Sequence, residues 1–379
     1  MKVPFLDLRA QDAAIGGAIR AALAEVVASQ QFVLGPHVAR FEQSMAAYCG
    51  VGHALGVGSG TDALALALAG LGARAGRAVV TTPFSFFATA STIVRVGARP
   101  VFADIDPETL NLDPAAAAVA ADRTGDAAIG VVPVHLFGRL APMAALRDVA
   151  ARRGLWMVED AAQAVGAREG GVAAGAFGAA GCLSFYPTKN LGGLGDGGMV
   201  LTNDDALAAF VRRERHQGQR APYVHESVGL ASRLDALQAA ALGVKLGHLD
   251  AWNARRRDVA GWYDAGLRQA GLVGREDAPL RLPAGAGEAH VFHQYVVRAR
   301  DRDALRAFLG AAGVDTQIYY AVPLHLQPAL AHLGHREGEF PHAERASREV
   351  LALPIYPELA RAAVETVVEA IARFYRSRG

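Results

Sequence analysis

A single lysine sits among small, aromatic and uncharged residues in Ser184-Phe185-Tyr186-Pro187-Thr188-Lys189-Asn190, which runs on into Leu191-Gly192-Gly193-Leu194-Gly195-Asp196-Gly197-Gly198. The nearest acid in sequence is Asp196. An apolar setting disfavours the ammonium form, so such a lysine can be held neutral and nucleophilic. A neutral amine condenses with a carbonyl to give a Schiff base. Read in isolation, Lys189 fits an ordinary surface loop equally well.

Two further groups suit that chemistry. Leu155-Trp156-Met157-Val158 reads as a buried strand followed by Glu159-Asp160-Ala161-Ala162-Gln163. A carboxylate leaving a strand of an open sheet points into the ligand crevice. Asp160 can therefore sit against a pyridinium nitrogen and keep it protonated, as a pyridoxal phosphate site requires, or it can cap an Ala-rich helix after it. Gly56-Val57-Gly58-Ser59-Gly60-Thr61-Asp62 opens the helix-forming run Ala63 to Leu68. Free N–H groups and the helix dipole at Gly60 and Thr61 make a phosphate seat. Thr61 breaks the spacing of a dinucleotide-binding glycine motif.

These segments resemble the DegT/DnrJ/EryC1/StrS family of pyridoxal-phosphate sugar aminotransferases over nearly the whole chain. The match starts at Val3-Pro4-Phe5-Leu6-Asp7-Leu8 and Val33-Leu34-Gly35-Pro36, and takes in Ser59 to Leu64 and Phe84-Ser85-Phe86-Phe87-Ala88-Thr89. It continues through Pro100 to Asp106, Glu159 to Gln163, the lysine loop, Ser232 to Ala240, and Val322-Pro323-Leu324-His325-Leu326-Gln327-Pro328. The resemblance implies an α/β, aspartate-aminotransferase-like fold (fold type I), with a doubly wound, mostly parallel sheet and a smaller C-terminal α+β domain. It implies Lys189 as the Schiff-base lysine and cofactor contacts from Gly60, Thr61, Phe86 (stacked on the ring), Asp160, Gln163 (at the ring oxygen) and Ser184 (at the phosphate). Substrate contacts are expected from Tyr186, Asn190, Tyr223, His225, Tyr319, Tyr320 and His325. Glutamate is the expected amino donor, a nucleotide-linked keto-sugar the acceptor, and the pyridoxamine form of the cofactor the intermediate between two half-reactions. The opening segment and Val322 to Gln327 resemble members acting on 3-keto sugars. Sites shared between two copies imply a homodimer.

Two positions depart from the family pattern. Ala231 stands where an asparagine usually reaches a partner's cofactor phosphate, so either Ser232, Arg233 or water fills in or phosphate affinity is reduced. Ala321 stands where proline is common. Relatives that are sugar dehydratases carry His in place of the lysine, which Lys189 argues against. A non-catalytic regulatory binder on the same fold is the alternative that Ala231 would suit.

The bulk properties agree with an enzyme. The chain has 379 residues, 52% hydrophobic, with a formal charge of +1. That balance calls for neither nucleic acid nor an anionic membrane, and no run reaches the ~20 apolar residues of a membrane helix. Two cysteines, Cys49 and Cys182, are too few for a disulfide framework and favour a reducing compartment. The N-terminus lacks an apolar signal core, so a cytoplasmic location is expected.

The elements that must position the site follow from periodicity. Residues 1–30 begin extended and turn helical, with Ile15, Ile19, Leu23 and Val26 on one face. Strands at 54–57, 78–82, 100–103, 129–134 and 155–158 alternate with helices, including one from Pro114 capped by Asp113. This alternation predicts the parallel sheet. Asp104 and Asp106 read as turn residues rather than metal ligands, and the Arg-rich helix 205–218 as a solvated face. We expect a large cofactor-binding domain over 1–246, including an N-terminal arm over 1–30, and a small domain over 247–379. The latter carries strands near 293–299 and 315–320 and a final helix from about 359. His332 and His335 can face one way on a helix, but no ligand set for a metal accompanies them.

Overall fold

A computed structural model describes residues 2–285 and 287–378. Its centre is a seven-stranded sheet in the order His53–Val57, Gly198–Thr202, Ala180–Ser184, Trp156–Asp160, Ala128–Val132, Ala78–Thr81, Arg99–Phe102. The five strands from Ala180–Ser184 to the Arg99–Phe102 edge run parallel. Gly198–Thr202 is antiparallel to both its neighbours. Ala180–Ser184 and Gly198–Thr202 are buried throughout, as strands covered on both faces must be.

The helices follow the predicted alternation. Ser59 caps Gly60–Gly70 by accepting from the Asp62 N–H (3.1 Å). Asp113 caps Pro114–Thr124 by accepting from the Ala115 N–H (2.8 Å). Asp104 accepts from the backbone of His342 and Ala343, at the start of the helix Pro341–Glu349, and Asp106 from that of Glu108 and Thr109. Residues 235–270, whose apolar spacing reads as long helices, form two, Ala236–Leu246 and Leu249–Gln269, separated at Gly247.

A second core lies under the antiparallel sheet Leu280–Arg281, Tyr295–Ala299, Val350–Leu353. Tyr263 of the helix Leu249–Gln269 stacks on Tyr295 at 4.7 Å, and Val364, Val367 and Ile371 of Arg361–Arg376 complete the packing. Here expectation and structure differ. Residues 315–320 form no strand; their backbone pairs with the sheet at the isolated Gln317–Ala352 bridge, and Ile318 packs on its core. The third strand is instead Val350–Leu353, an apolar run buried at every position. The arm also divides. Val3 packs in this C-terminal core and pairs with Val314, while Ile15 and Ile19 of the helix Leu8–Ser29 pack against Ala241. The 3₁₀ helix Pro328–Leu333 stops at Gly334, so His332 and His335 do not share a helical face; His335 bonds to Glu339 (2.6 Å).

Candidate active site

The carboxyl ends of the central strands open on one cavity of about 770 Å³. Its floor is Asp160, the last residue of Trp156–Asp160 and 5% exposed. Oδ2 of Asp160 accepts from the Thr89 hydroxyl (2.7 Å) and Oδ1 from the Ala162 N–H (3.3 Å). The Thr89 proton is thereby committed, so the Ser85 hydroxyl donates to Thr89 (2.9 Å). Burial pushes the Asp160 carboxyl up, while these bonds, Lys189 and His135 pull it down. The predicted helix after Asp160 is absent: residues 161–167 form successive turns. Asp160 closes an Asx-type turn there instead of capping a helix.

Glu159 points to the other side of the same strand and is fully buried. It accepts from His135 Nε2 (2.9 Å) and from the N–H groups of Gly175 (2.8 Å), Phe177 (2.6 Å) and Gly178 (2.8 Å). Nδ1 of His135 accepts from the Ala141 N–H (3.1 Å), which fixes the ring proton on Nε2. The His135 N–H in turn donates to the Asp160 carbonyl (3.0 Å). This bonded block holds the end of the Asp160 strand in place.

The lysine loop leaves the adjacent strand Ala180–Ser184. Phe185 anchors it in the core against Phe41, and a turn closes where the Lys189 N–H donates to the Tyr186 carbonyl (2.8 Å). The loop then crosses itself at Gly192, where a Cβ would meet the Pro187 carbonyl. Lys245 ties this crossing down by donating to the Gly192 carbonyl (2.7 Å). Burial pulls the Lys189 amine down to about 8, with Asp160 acting in the opposite sense. About half of the amine is then free near pH 8, where an ordinary lysine is almost wholly protonated.

The third wall is the start of the helix Gly60–Gly70, where Gly60, Thr61 and Ser184 all line the cavity. The helix can lie this close because its neighbours are bare. A Cβ on Gly60 would stand 2.8 Å from the Ser184 Cβ, and one on Gly198 would run into the Ser59 carbonyl. Ser184 Oγ accepts from the Tyr186 N–H (3.3 Å), which leaves its proton free to donate into the cavity. Ser232 accepts from the Gly58 N–H (3.0 Å) and donates to Asp62 (2.8 Å). Its hydroxyl is therefore occupied in bracing this turn and does not stand in for the asparagine missing at Ala231. Arg233 remains, with Nη1 3.0 Å from His216 Nδ1.

Lys189, Gly60, Thr61, Phe86, Asp160, Gln163, Ser184, Tyr186, Tyr319 and Tyr320 all line this one cavity. Gln163 is held at both ends, accepting from the Phe137 N–H (2.6 Å) and donating to the Tyr320 hydroxyl (3.1 Å). Four expected substrate residues do not line it. The Asn190 amide is used up internally, donating to Asn253 (2.8 Å) and to the Val291 carbonyl (3.0 Å). His325 is buried behind the cavity, bonded to Glu344 (3.1 Å) and packed on Phe340. Tyr223 and His225 lie on the exposed hairpin Gln219–Ala221, Val224–His225, with Tyr223 94% exposed. Thr89, Ser85 and His293 line or brace the site and were not assigned roles from sequence. The hydroxyls could have been sought one helical turn apart at the start of Ala88–Arg95, but nothing local pairs them with Asp160, 71 residues away.

A lysine and a buried carboxylate at the carboxyl ends of an open sheet, beside a helix N-terminus, define a fold type I enzyme built for amine–carbonyl exchange. The sequence profile described as the DegT/DnrJ/EryC1/StrS aminotransferase family matches residues 13–372, and the chain belongs to that family. A pleiotropic regulatory protein of Geobacillus stearothermophilus is 47% identical over 376 residues, covering 99% of each chain. A dTDP-3-amino-3,4,6-trideoxy-α-D-glucose transaminase of Streptomyces venezuelae is 44% identical over 371 residues, covering 98% of this chain and 95% of that one. The crystal structure of S. venezuelae DesV in complex with a ketimine intermediate superposes with a TM-score of 0.93 at 44% identity, covering 98% of both chains.

Proposed function

We propose that this protein is a pyridoxal-phosphate-dependent aminotransferase that moves an amino group from glutamate to a nucleotide-linked sugar bearing a ketone at C3. The observation that carries the reading is the meeting of Lys189, Asp160 and the Gly60 helix start in one cavity. The residues present fit the cofactor: an aldehyde needs a depressed amine, a pyridinium a buried carboxylate, and a phosphate the bare helix start beside Gly60. Lys189, Asp160, Gln163, Phe86, Gly60, Thr61 and Ser184 would hold it. When bound, it supplies an aldehyde carbon for amines and a ring that takes up the electrons released at the neighbouring carbon. Lys189 would carry a proton at its Nζ to and from the donor's α-carbon. Asp160 holds a proton at the ring nitrogen, kept in line by Thr89 and Ala162. The net exchange turns glutamate into its 2-oxo acid and the ketone into an amine, in two half-reactions. The 3-amino product in the name of the S. venezuelae relative supports C3.

The working unit we propose is a homodimer with shared sites. Among the cavity-lining residues Lys189 is the only lysine or arginine, while Asp160 and Asp196 are acidic. A cofactor phosphate and a nucleotide diphosphate need more positive charge than that. The hairpin carrying Tyr223 and His225, with Val228 and Leu230 also exposed, offers an apolar surface for a second copy. Tyr223 and His225 would then meet substrate across that contact. A cytoplasmic location fits two buried free cysteines. Among the described residues no helix is long and apolar enough to cross a membrane.

The name of the G. stearothermophilus relative favours one second reading, a regulatory binder. One assay separates the two. Purified protein with pyridoxal phosphate, glutamate and a dTDP-linked 3-keto sugar should release 2-oxoglutarate and an amino sugar. Tight binding of the nucleotide sugar with no amino transfer from any amino acid would favour the binder.

A further inference from the structure

Tyr320 lines the cavity, and the direction of its hydrogen bonding can be read. The Phe137 N–H can only donate, and it meets Gln163 Oε1 at 2.6 Å. The Gln163 amide is therefore fixed with its NH₂ toward Tyr320, where it donates to the phenol oxygen (3.1 Å). Tyr320 is the acceptor of this pair, and its own proton meets no acceptor among the described residues. Burial pushes the phenol up, with Asp160 acting in the same sense and the Gln163 bond against it, so the hydroxyl stays a donor. The ring itself is held. Phe84, fully buried, meets it edge-on at 6.3 Å, and Phe86 lies 6.2 Å away.

The resemblance gives Tyr320 to the substrate, but its neighbours Phe86, Gln163 and Asp160 are the residues that would hold the cofactor ring. In pyridoxal the ring nitrogen and the aldehyde-bearing carbon lie opposite each other. The ring oxygen and the phosphate arm lie on opposite sides of the line between them. With the nitrogen at Asp160, the aldehyde at Lys189 and the phosphate at Gly60 and Ser184, the oxygen falls on the side away from the Gly60 helix. That oxygen carries negative charge, which a buried site must meet with donors. Gln163 stands three residues beyond Asp160 and already spends one N–H on Tyr320. We propose that Tyr320 is a catalytic residue whose hydroxyl donates a hydrogen bond to the ring oxygen of the cofactor, beside Gln163, and thereby sets the pH at which the Schiff base to Lys189 loses its proton. The proposal rests on the cofactor reading above. The other titratable groups facing this space are Asp160, Lys189, Asp196, Tyr186, Tyr319 and His293.

The test is a pH titration of the visible absorbance of the full-length chain loaded with pyridoxal phosphate, with no substrate present. Tyr320→Phe keeps the ring and its packing and removes only the O–H. In the protonated Schiff base the iminium N–H already bonds the ring oxygen; once that proton leaves, the oxygen depends on its other donors. Losing the phenol therefore penalises the unprotonated form, and the titration should rise by about one pH unit. Tyr319→Phe, which removes the neighbouring phenol, should leave it within about 0.2 unit of wild type. An unmoved titration in Tyr320→Phe, with KM for the nucleotide sugar raised instead, would overturn the proposal and return Tyr320 to the substrate. Equal shifts in both variants would also overturn it. If Tyr320→Phe does not retain the cofactor, a ring-fluorinated tyrosine at position 320 decides: a more acidic phenol is a stronger donor and should lower the titration, and no movement defeats the assignment. A wild-type chain that takes up no cofactor would sink the function above and this inference with it. A yellow wild type whose variant titrates unchanged would sink this inference alone.

Discussion

The floor of the cavity and its rim are built on opposite plans. The acids and the amide of the floor are tied within the chain: Asp160 to Thr89 and Ala162, Gln163 to Phe137 and Tyr320, and Glu159 beneath them to four donors. The rim is left open. Phe86 is 57% exposed, Tyr186 53% and Tyr223 94%. A floor that must hold a cofactor in one orientation gains from rigid, satisfied groups. A rim that must admit and release a large substrate, and that a second copy would complete, gains from groups not yet committed. The contrast is sharpest between neighbours on one strand. Glu159 spends its acceptors on the protein, whereas Asp160 keeps an edge toward the cavity.

The largest effect should come from the one floor residue with a free reactive atom. Lys189→Ala should lower amino transfer by about 10⁴-fold or more, since both nucleophile and proton carrier are lost. In the wild-type chain the amine is protonated below about 8 and free above it, so its reaction with an added aldehyde should rise with pH and level off above that point. A flat profile between pH 6 and 10 would contradict the depressed amine.

Asp160→Asn comes next, at about 10²-fold or more in kcat, because a neutral amide cannot hold a proton on a ring nitrogen. The protein should still fold, as the amide oxygen can keep the Ala162 N–H while its NH₂ donates to the Thr89 hydroxyl oxygen. If its neighbour is structural as argued, Glu159→Gln reverses the pattern. It should cost about 2–3 kcal/mol of stability, since an NH₂ group replaces an acceptor facing buried N–H groups. Urea unfolding reads that loss, and the folded fraction should retain activity.

The rim should respond more mildly and without loss of fold. Phe86→Ala should weaken cofactor retention by about 3- to 10-fold, the worth of one aromatic contact. Tyr223→Ala should raise KM for the nucleotide sugar several-fold, by about 1 kcal/mol or less, with kcat and melting temperature unchanged. A drop in stability for either would mean that rim and floor are one packed unit.

How much of this was readable beforehand divides along the same line. Lys189, Asp160, Gly60 and Ser184 sit at strand exits and a helix start, and strand–loop–helix order is written in local patterns of apolar and small residues. Local pattern also misled. Ala161 to Ala164 reads as helix, but the adjoining strand draws the Ala161 N–H to Cys182, and the Ala164 and Ala167 N–H groups close turns on Ala161 and Ala164. Val350–Leu353 was passed over because a buried apolar run has no alternation to mark it as a strand. Asn190 looked available beside a reactive lysine, yet its bonds go to residues 63 and 101 positions away.

By itself the sequence determined the α/β alternation and marked Lys189 and Asp160 as candidates at strand exits, because strand–loop–helix order is set by residues within about one turn or one strand of one another. Only the tertiary structure decided which neighbours are spent and which are free: that Ser232 braces a turn, that His325 is sealed in a core, and that Tyr320 accepts from Gln163 and keeps its own proton free. Those outcomes depend on hydrogen-bond partners dozens to more than a hundred residues apart, and a bond's direction is settled only when every donor and acceptor around it has been placed.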